Sequence, residues 1–151
     1  MRHNSSKYGI PRLFRRFLFN MAYKSCILSP KTRGLLYKFG GINIGRNVYI
    51  GREVLMDEVY PQGIHIGDNV FITQGTKIIT HFYDKDRGFY FGDVTIGDDC
   101  FIGMNVLITK PLSIGNDCVV GMGTVVTKDI PSGSTVVGNP GRIIKHDKVK
   151  I

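Results

Sequence analysis

Several features that would narrow the class of this protein are missing from its 151 residues. The chain has no tryptophan, and no stretch approaches the roughly 20 apolar residues of a membrane-spanning helix. No secretory signal peptide is evident, because Arg12, Arg15 and Arg16 interrupt the early apolar stretch. The three cysteines form no C-x-x-C pair and have no histidine at zinc spacing. We therefore expect reduced cysteines, no metal site and a cytoplasmic protein.

Acidic residues are also absent from the beginning of the chain, which makes its charge uneven. The formal net charge is +8 at pH 7, yet residues 1–40 hold nine of the 20 basic residues and no acidic one. The rest of the chain has eleven basic and twelve acidic side chains, a net charge of −1. A nucleic-acid-binding domain usually carries a basic stripe on its folded body. We therefore expect no nucleic-acid partner.

What the sequence does contain is a period of six residues. Twelve aliphatic residues recur at this spacing, apart from two interruptions: Ile44, Ile50, Met56, Ile66, Ile72, Ile78, Ile96, Ile102, Ile108, Ile114, Val120 and Val126. Four residues after most of them stands a second small or branched residue: Val48, Val54, Val70, Thr76, Cys100, Val106, Cys118 and Thr124. A strand has a period of two and an α-helix one of about 3.6, so neither element alone explains this pattern.

Every third hexad repeats the same polar pattern, which distinguishes three sides. The first side has an Ile-Gly-x-Asn/Asp turn, the second mostly glycine after its aliphatic residue, and the third no glycine. The turn residues Asn47, Asn69, Asp99 and Asp117 tolerate the positive φ that tight corners require. The pattern predicts a triangular parallel β-helix with 18 residues per coil. Such coils must stack, and their ends must be capped.

Two insertions interrupt the period, and in repeat proteins insertions often form loops on the binding face. Four extra residues precede Ile66 and twelve precede Ile96. The longer insertion covers about residues 82–93, directly after His81, and is rich in aromatic and charged residues. The β-helix is predicted to span residues 42–145 and to be followed by a tail, 146–151.

Four stretches carry a specific resemblance to a known family: Ile-Gly-Asp-Asn-Val-Phe at 66–71, Ile-Ile-Thr-His at 78–81, Val-Val-Thr-Lys-Asp-Ile-Pro at 125–131 and Val-Gly-Asn-Pro-Gly-Arg at 137–142. With them, the chain resembles the hexapeptide-repeat acyltransferases. It is most similar to O-acetyltransferases of the galactoside, maltose, nodulation-factor and surface-polysaccharide types. The resemblance implies a left-handed β-helix and a homotrimer that binds acetyl-CoA between neighbouring subunits. It also implies transfer of the acetyl group to a sugar or glycan hydroxyl, as in polysaccharide biosynthesis.

The resemblance also points to individual site residues. His81 is the candidate general base, since an imidazole with an ordinary pKa of about 6.5 suits proton removal near neutral pH. Asp57 lies on the same side one coil earlier and is a candidate for binding an acceptor hydroxyl. Asp84, in the long insertion, is a second candidate for the acceptor site or for orienting the imidazole. For acetyl-CoA the resemblance indicates six residues: Met104, Met122, Thr127, Lys128, Arg142 and Lys145.

The basic segment, residues 1–41, is predicted to be partly helical. Its apolar residues recur at helical spacing: Ile10, Leu13, Phe14, Phe17, Leu18 and Met21. This helix either covers the open end of the first coil or rests as a basic amphipathic helix on the inner face of an anionic membrane. Both interpretations hold together if Phe19 and the arginines stay on the outside of the capped coil.

Other functions remain open on the same fold. The acceptor atom is either an oxygen or the nitrogen of an amino sugar or an antibiotic. A zinc enzyme of the γ-carbonic-anhydrase kind needs three histidines at a trimer interface, and the coils offer only His65 and His81. A non-catalytic binding protein is the remaining alternative.

Overall fold

The computed structural model describes residues 11–86 and 88–145, and in these residues the hexads form a three-sided parallel β-helix. We call its sides A, B and C. Side A contains β1 (Asn43–Ile44), β4 (Ile64–Ile66), β9 (Val94–Ile96) and β12 (Leu112–Ile114). Side B contains β2 (Tyr49–Ile50), β5 (Phe71–Ile72), β10 (Phe101–Ile102), β13 (Val119–Val120) and β15 (Thr135–Val137). Side C contains β3 (Leu55–Met56), β6 (Lys77–Ile78), β11 (Leu107–Ile108) and β14 (Val125–Val126).

The aliphatic residues of the period form the core, as predicted. All twelve are buried, and stacked coils bring them into register, so that Ile44 pairs with Ile66 and Ile66 with Ile96. The second inward positions are also buried, except for Val48, which is half-buried against the core. Burial of one such aliphatic side chain contributes about 1.5–3 kcal/mol, so the stacked core is the main stabilising feature.

Two of the three corners depend on left-handed backbone conformations. The corner between sides A and B has φ values of 55–57° at Asn47, Asn69, Asp99 and Asp117. The corner between sides B and C has positive φ at Glu53, Gly75, Asn105 and Gly123. Among the described residues, the corner between sides C and A has positive φ only at Gly88, within the hairpin insertion. Both insertions leave the coil at this third corner, where no tight turn has to be kept.

The insertions have regular structure of their own. The first contains a single 3₁₀ turn, Pro61–Gly63. The second forms an antiparallel hairpin of β7 (His81–Asp84) and β8 (Gly88–Phe91), in which His81 pairs with Phe91. After the last coil, β16 (Arg142–Lys145) runs antiparallel to β15 and covers the edge of side B.

Two helices precede the first coil: α1 (Arg12–Lys24) and α2 (Pro30–Phe39). Neither is long and apolar enough to cross a membrane, within the part of the chain that was described. Ser29 begins α2 as an N-cap, since its hydroxyl accepts a hydrogen bond from the Thr32 N–H at 3.2 Å. Ile10 and the predicted tail, 146–151, lie outside the described residues.

Helix α2 caps the open end of the β-helix through polar side chains. Alternate backbone groups of a strand point to opposite neighbours, so the first coil has carbonyls without a strand partner. Three side chains of α2 donate to these carbonyls: Arg33 Nη1 to Ile50 at 3.4 Å, Tyr37 to Val54 at 2.5 Å and Lys38 Nζ to Ile44 at 3.0 Å. The predicted cap is therefore present, but α2 provides it rather than the helix that the apolar pattern indicated.

Helix α1 packs against α2, and its buried face differs from the expected stripe. Its buried residues are Leu18, Phe19 and Ala22, and its exposed apolar residues are Leu13, Phe14 and Phe17. Phe19 is not on the outside, which was the condition for one helix to do both, and it packs edge-on against the ring of Tyr37 at 5.0 Å. The reason is that α1 lies beside α2 and not across the end of the coil. Membrane contact stays a prediction, and the exposed apolar face is where we expect it.

The cap gives a prediction about stability. Replacing Tyr37 by Phe removes the hydroxyl that satisfies the buried Val54 carbonyl, so we expect the free energy of unfolding to fall by about 1–3 kcal/mol. Urea unfolding at a fixed protein concentration measures this change. Tyr83→Phe is the matched control, because Tyr83 is 63% exposed in the hairpin. Equal stabilities of the two variants would contradict the capping role.

Candidate active site

His81 lies at the third corner, where the chain leaves side C for the hairpin. Its side chain is 34% exposed, so one edge of the imidazole is accessible while the other faces the coil. Asp57 follows β3 at the same corner, because Met56 of β3 pairs with Ile78 of β6. The stacking of two coils thus brings together residues that are 24 positions apart in sequence.

The carboxylate of Asp57 holds the imidazole. His81 Nδ1 is 2.5 Å from Asp57 Oδ2, and the Asp57 side chain is only 3% exposed. Asp57 Oδ2 also accepts from the Thr80 backbone N–H at 3.0 Å and from its hydroxyl at 2.8 Å. Asp57 Oδ1 accepts from the Val59 N–H at 2.9 Å. Four donors therefore fix this carboxylate.

These contacts determine the charge of Asp57. Burial alone would raise the pKa of Asp57, but the hydrogen bonds from Val59, Thr80 and His81 outweigh burial and lower that pKa below its ordinary value. An ionised carboxylate only accepts hydrogen bonds, so the proton of this pair lies on Nδ1 of His81. The second ring nitrogen, Nε2, then carries the lone pair that a general base needs.

The two candidate acceptor residues lie where the repeat places them, Asp57 beside His81 and Asp84 in the hairpin insertion. Asp57 is engaged with protein groups and orients His81, instead of being available to a sugar hydroxyl. Asp84 lies in the hairpin, where its Oδ1 accepts from the Asp86 N–H at 2.9 Å. The orienting role considered for Asp84 therefore falls to Asp57. The stacking of the hexads predicts that Asp57 lies near His81. It does not predict the direction of the Asp57 side chain.

A cavity of about 350 Å³ opens beside this pair, between side C and α1. From the coil it is lined by His81 and Asp57 together with the apolar residues Leu55, Met56 and Ile79. From α1 it is lined by the buried Phe19 and by four polar residues: Arg16, Asn20, Tyr23 and Lys24. Sequence analysis did not assign these four residues to the site. Their spacing, which places them on one face of a helix, is a signal that could have identified them.

The predicted cofactor residues fall into two separate groups. Thr127, Lys128 and Arg142 line a cavity of about 370 Å³ that follows the last strand of side C. Lys145 ends β16 and is exposed. Met104 and Met122 line a different cavity of about 560 Å³ at the corner between sides B and C. Side C therefore lies between the methionines and the pair Thr127 and Lys128, whereas Arg142 and Lys145 belong to β16, which pairs with β15 of side B.

Comparisons with known proteins agree with this architecture. The sequence model of the family described as hexapeptide repeat of succinyl-transferase matches residues 41–78 and 93–128. The unmatched residues between these stretches are those of the hairpin insertion. A comparison with curated protein sequences gives no significant match.

Three solved acetyltransferases share the fold. A maltose O-acetyltransferase from Clostridium difficile 630 is 26% identical, with 91% of this chain and 87% of that chain covered and a TM-score of 0.67. A hexapeptide-repeat containing acetyltransferase from Vibrio cholerae is 27% identical, with 91% of each chain covered and a TM-score of 0.75. A galactoside acetyltransferase in complex with coenzyme A is 25% identical, with 93% of this chain and 88% of that chain covered and a TM-score of 0.64.

The hexads, the family model and these structures together define the class. The chain contains the hexapeptide repeats that the family model describes and has the fold of these acetyltransferases. This confirms the predictions of a left-handed parallel β-helix and of an acetyltransferase.

The Asp57 environment predicts a pH dependence of stability. A carboxylate with a lowered folded-state pKa stabilises the protein above its unfolded pKa of about 4, and this contribution is lost as pH falls through the folded-state pKa. We therefore expect Asp57→Asn to be less stable than wild type at pH 6, with a difference that shrinks towards pH 3. Unfolding midpoints across this range measure it.

Asp86→Asn in the hairpin is the matched control, since Asp86 is exposed. Its difference from wild type should be small at every pH. A constant difference between wild type and Asp57→Asn across the range would contradict an ionised, hydrogen-bonded Asp57.

Proposed function

We propose that this protein transfers an acetyl group from acetyl-CoA to a hydroxyl group of a sugar or glycan, with His81 as the general base. The observation that carries the proposal is the Asp57–His81 pair beside an open cavity. The tautomer that Asp57 imposes leaves Nε2 of His81 able to accept a proton. Two of the similar structures are sugar acetyltransferases, and the galactoside enzyme is bound to coenzyme A.

The proposed reaction is a direct transfer in which His81 moves one proton. Nε2 of His81 accepts the proton of the acceptor hydroxyl as the oxygen attacks the thioester carbonyl carbon. The new C–O bond forms, the C–S bond then breaks, and the departing sulfur takes the proton back from Nε2. Between these steps the imidazole is positively charged, and the Asp57 carboxylate at 2.5 Å stabilises this charge. Asp57 is thus a positioning residue.

A homotrimer is part of the proposal, in which acetyl-CoA lies between neighbouring subunits. Side C lies between the two methionines, Met104 and Met122, and the pair Thr127 and Lys128, so we infer that two subunits bring these groups to one cofactor. Lys128 and Arg142 would bind its phosphates. Side B offers an apolar surface for such contacts, since the exposed rings of Tyr49 and Phe71 stack at 5.5 Å.

Transfer to the nitrogen of an amino sugar or an antibiotic is the alternative chemistry. The same base could remove a proton from an amine during attack, so the Asp57–His81 pair does not separate the two reactions. We favour the hydroxyl acceptor because the maltose enzyme is an O-acetyltransferase at 26% identity. A panel of hydroxyl and amino sugars distinguishes them.

The first functional prediction concerns His81. Removing the base in His81→Ala should lower the rate of acetyl transfer by about 10²- to 10⁴-fold, without loss of coenzyme A binding. Release of free thiol from acetyl-CoA in the presence of the acceptor panel measures the rate, and calorimetry measures binding. His65→Ala is the matched control, because His65 lies on side A, next to Asp93 at 3.7 Å. An unchanged rate in His81→Ala would refute the assignment.

The second prediction concerns the shared site. His81→Ala and Met122→Glu should each be inactive alone, the latter because a charge at this exposed position blocks the cofactor channel. In a trimer assembled from equal amounts of both variants, about a quarter of the sites pair an intact His81 with an intact Met122 of the neighbour. We therefore expect about a quarter of wild-type activity after co-expression. No recovery would show that both residues act from one subunit.

A further inference from the structure

One wall of the cavity beside His81 has a composition that acetyl transfer by itself does not explain. This wall is the polar face of α1, formed by Arg16, Asn20, Tyr23 and Lys24. Phe19, from the buried face of α1, also lines the cavity, whereas the exposed apolar residues Leu13, Phe14 and Phe17 do not. Two of the four residues are cationic, and the helix contains no acidic residue.

The acidic residues across the cavity do not neutralise this wall. Asp57 is committed to His81, Thr80 and Val59 by hydrogen bonds. Glu58 is the other acidic residue in the lining, and its Oε1 is 3.7 Å from Nε of Arg16. This pair is solvent-exposed, with side chains 68% and 44% accessible, so it is weak and easily exchanged.

Lys24 is the second cation of this wall. Within the described part of the chain it forms no ion pair. It lies in the last turn of α1, where the helix dipole favours a positive charge. A neutral acceptor would leave this ammonium group in the cavity without an anionic partner.

We propose that the acceptor carries an anionic group, a phosphate or a carboxylate, which binds Lys24 while its hydroxyl lies at His81. The inference rests on the proposed function and specifies its substrate class. The Lys24 ammonium group would form charge-assisted hydrogen bonds with this anion. The volume of about 350 Å³ lies within the range of small-molecule sites.

The rest of the cavity suits the sugar part of such an acceptor. Asn20 and Tyr23 lie between the two cations and can hydrogen-bond hydroxyl groups. On the opposite wall, the half-buried Leu55 and Ile79 offer an apolar surface for the C–H face of a ring. The ring of Phe91 has its centroid 6.3 Å from that of His81 and bounds the imidazole on the hairpin side.

Binding of three simple sugars tests this inference without requiring turnover. Glucose, glucose 1-phosphate and glucuronic acid are titrated at constant ionic strength, and the histidine ring signals are followed by NMR, with His81→Ala used to assign the His81 signal. In wild type we expect at least one charged sugar to bind about tenfold more tightly than glucose. Which one it is distinguishes a phosphate from a carboxylate. Equal binding of all three sugars would overturn the inference.

Variants locate the anion. Lys24→Gln should remove about tenfold of the affinity for the charged sugar and leave glucose binding unchanged. Lys31→Gln is the matched control, since Lys31 is exposed on α2 and does not line this cavity. The same loss in both variants, or no loss in either, would contradict the assignment to Lys24.

Acetyl transfer to the same sugars separates this inference from the proposed function. Acetylation of glucose in preference to both charged sugars would overturn the anionic acceptor and leave the acetyltransferase intact. Binding of a charged sugar that depends on Lys24, without any transfer from acetyl-CoA, would support the anion site and count against the proposed function.

Discussion

Backbone pairing between stacked coils is the constraint on which the rest of this structure depends. Each strand has only two or three residues in a coil, too few to be stable without partners above and below. Every coil must therefore keep the register of its neighbours. The ends, where a neighbour is missing, need substitutes. Helix α2 provides one with three side-chain donors, and β16 provides another by pairing with β15.

The same constraint explains where the site lies. Two corners carry left-handed residues in coil after coil, and an insertion there would break the ladder. The third corner needs no such residue, so it accepts a 3₁₀ turn in one place and a hairpin in another. Asp57 and His81 stand where these insertions leave the coil. They are anchored by the pairing of Met56 with Ile78, and their side chains extend into the space that the insertions and α1 enclose. The rigid coil thus fixes the relative position of Asp57 and His81.

The sequence predicts the β-helix well, because one short-range period sets both the core and the corners. The twelve aliphatic residues and the inward Cys100 and Cys118 could be identified by counting alone. The capping role of helix α2 could not be identified in this way. Helix α2 contacts the coil through polar side chains that donate to backbone carbonyls, and such hydrogen bonds leave no periodic pattern in the sequence. The pattern of α1 was visible, but the face that it buries depends on α2. The stacking of Asp57 on the side of His81 was predictable, whereas the direction of its carboxylate depends on four local hydrogen bonds.

Stacking also fixes distances along the axis of the β-helix. Adjacent coils are about 4.8 Å apart along the axis, and Ile78, Ile108 and Val126 stack in succession on side C. The coil that ends at His81 and the coil that ends at Thr127 are thus two steps apart, about 10 Å along the axis. A deletion or duplication can change this offset only by a whole coil of three hexads. The spacing between the base and the basic residues of the last coil is therefore robust to small insertions, which divert into the third corner, and can evolve only in discrete steps.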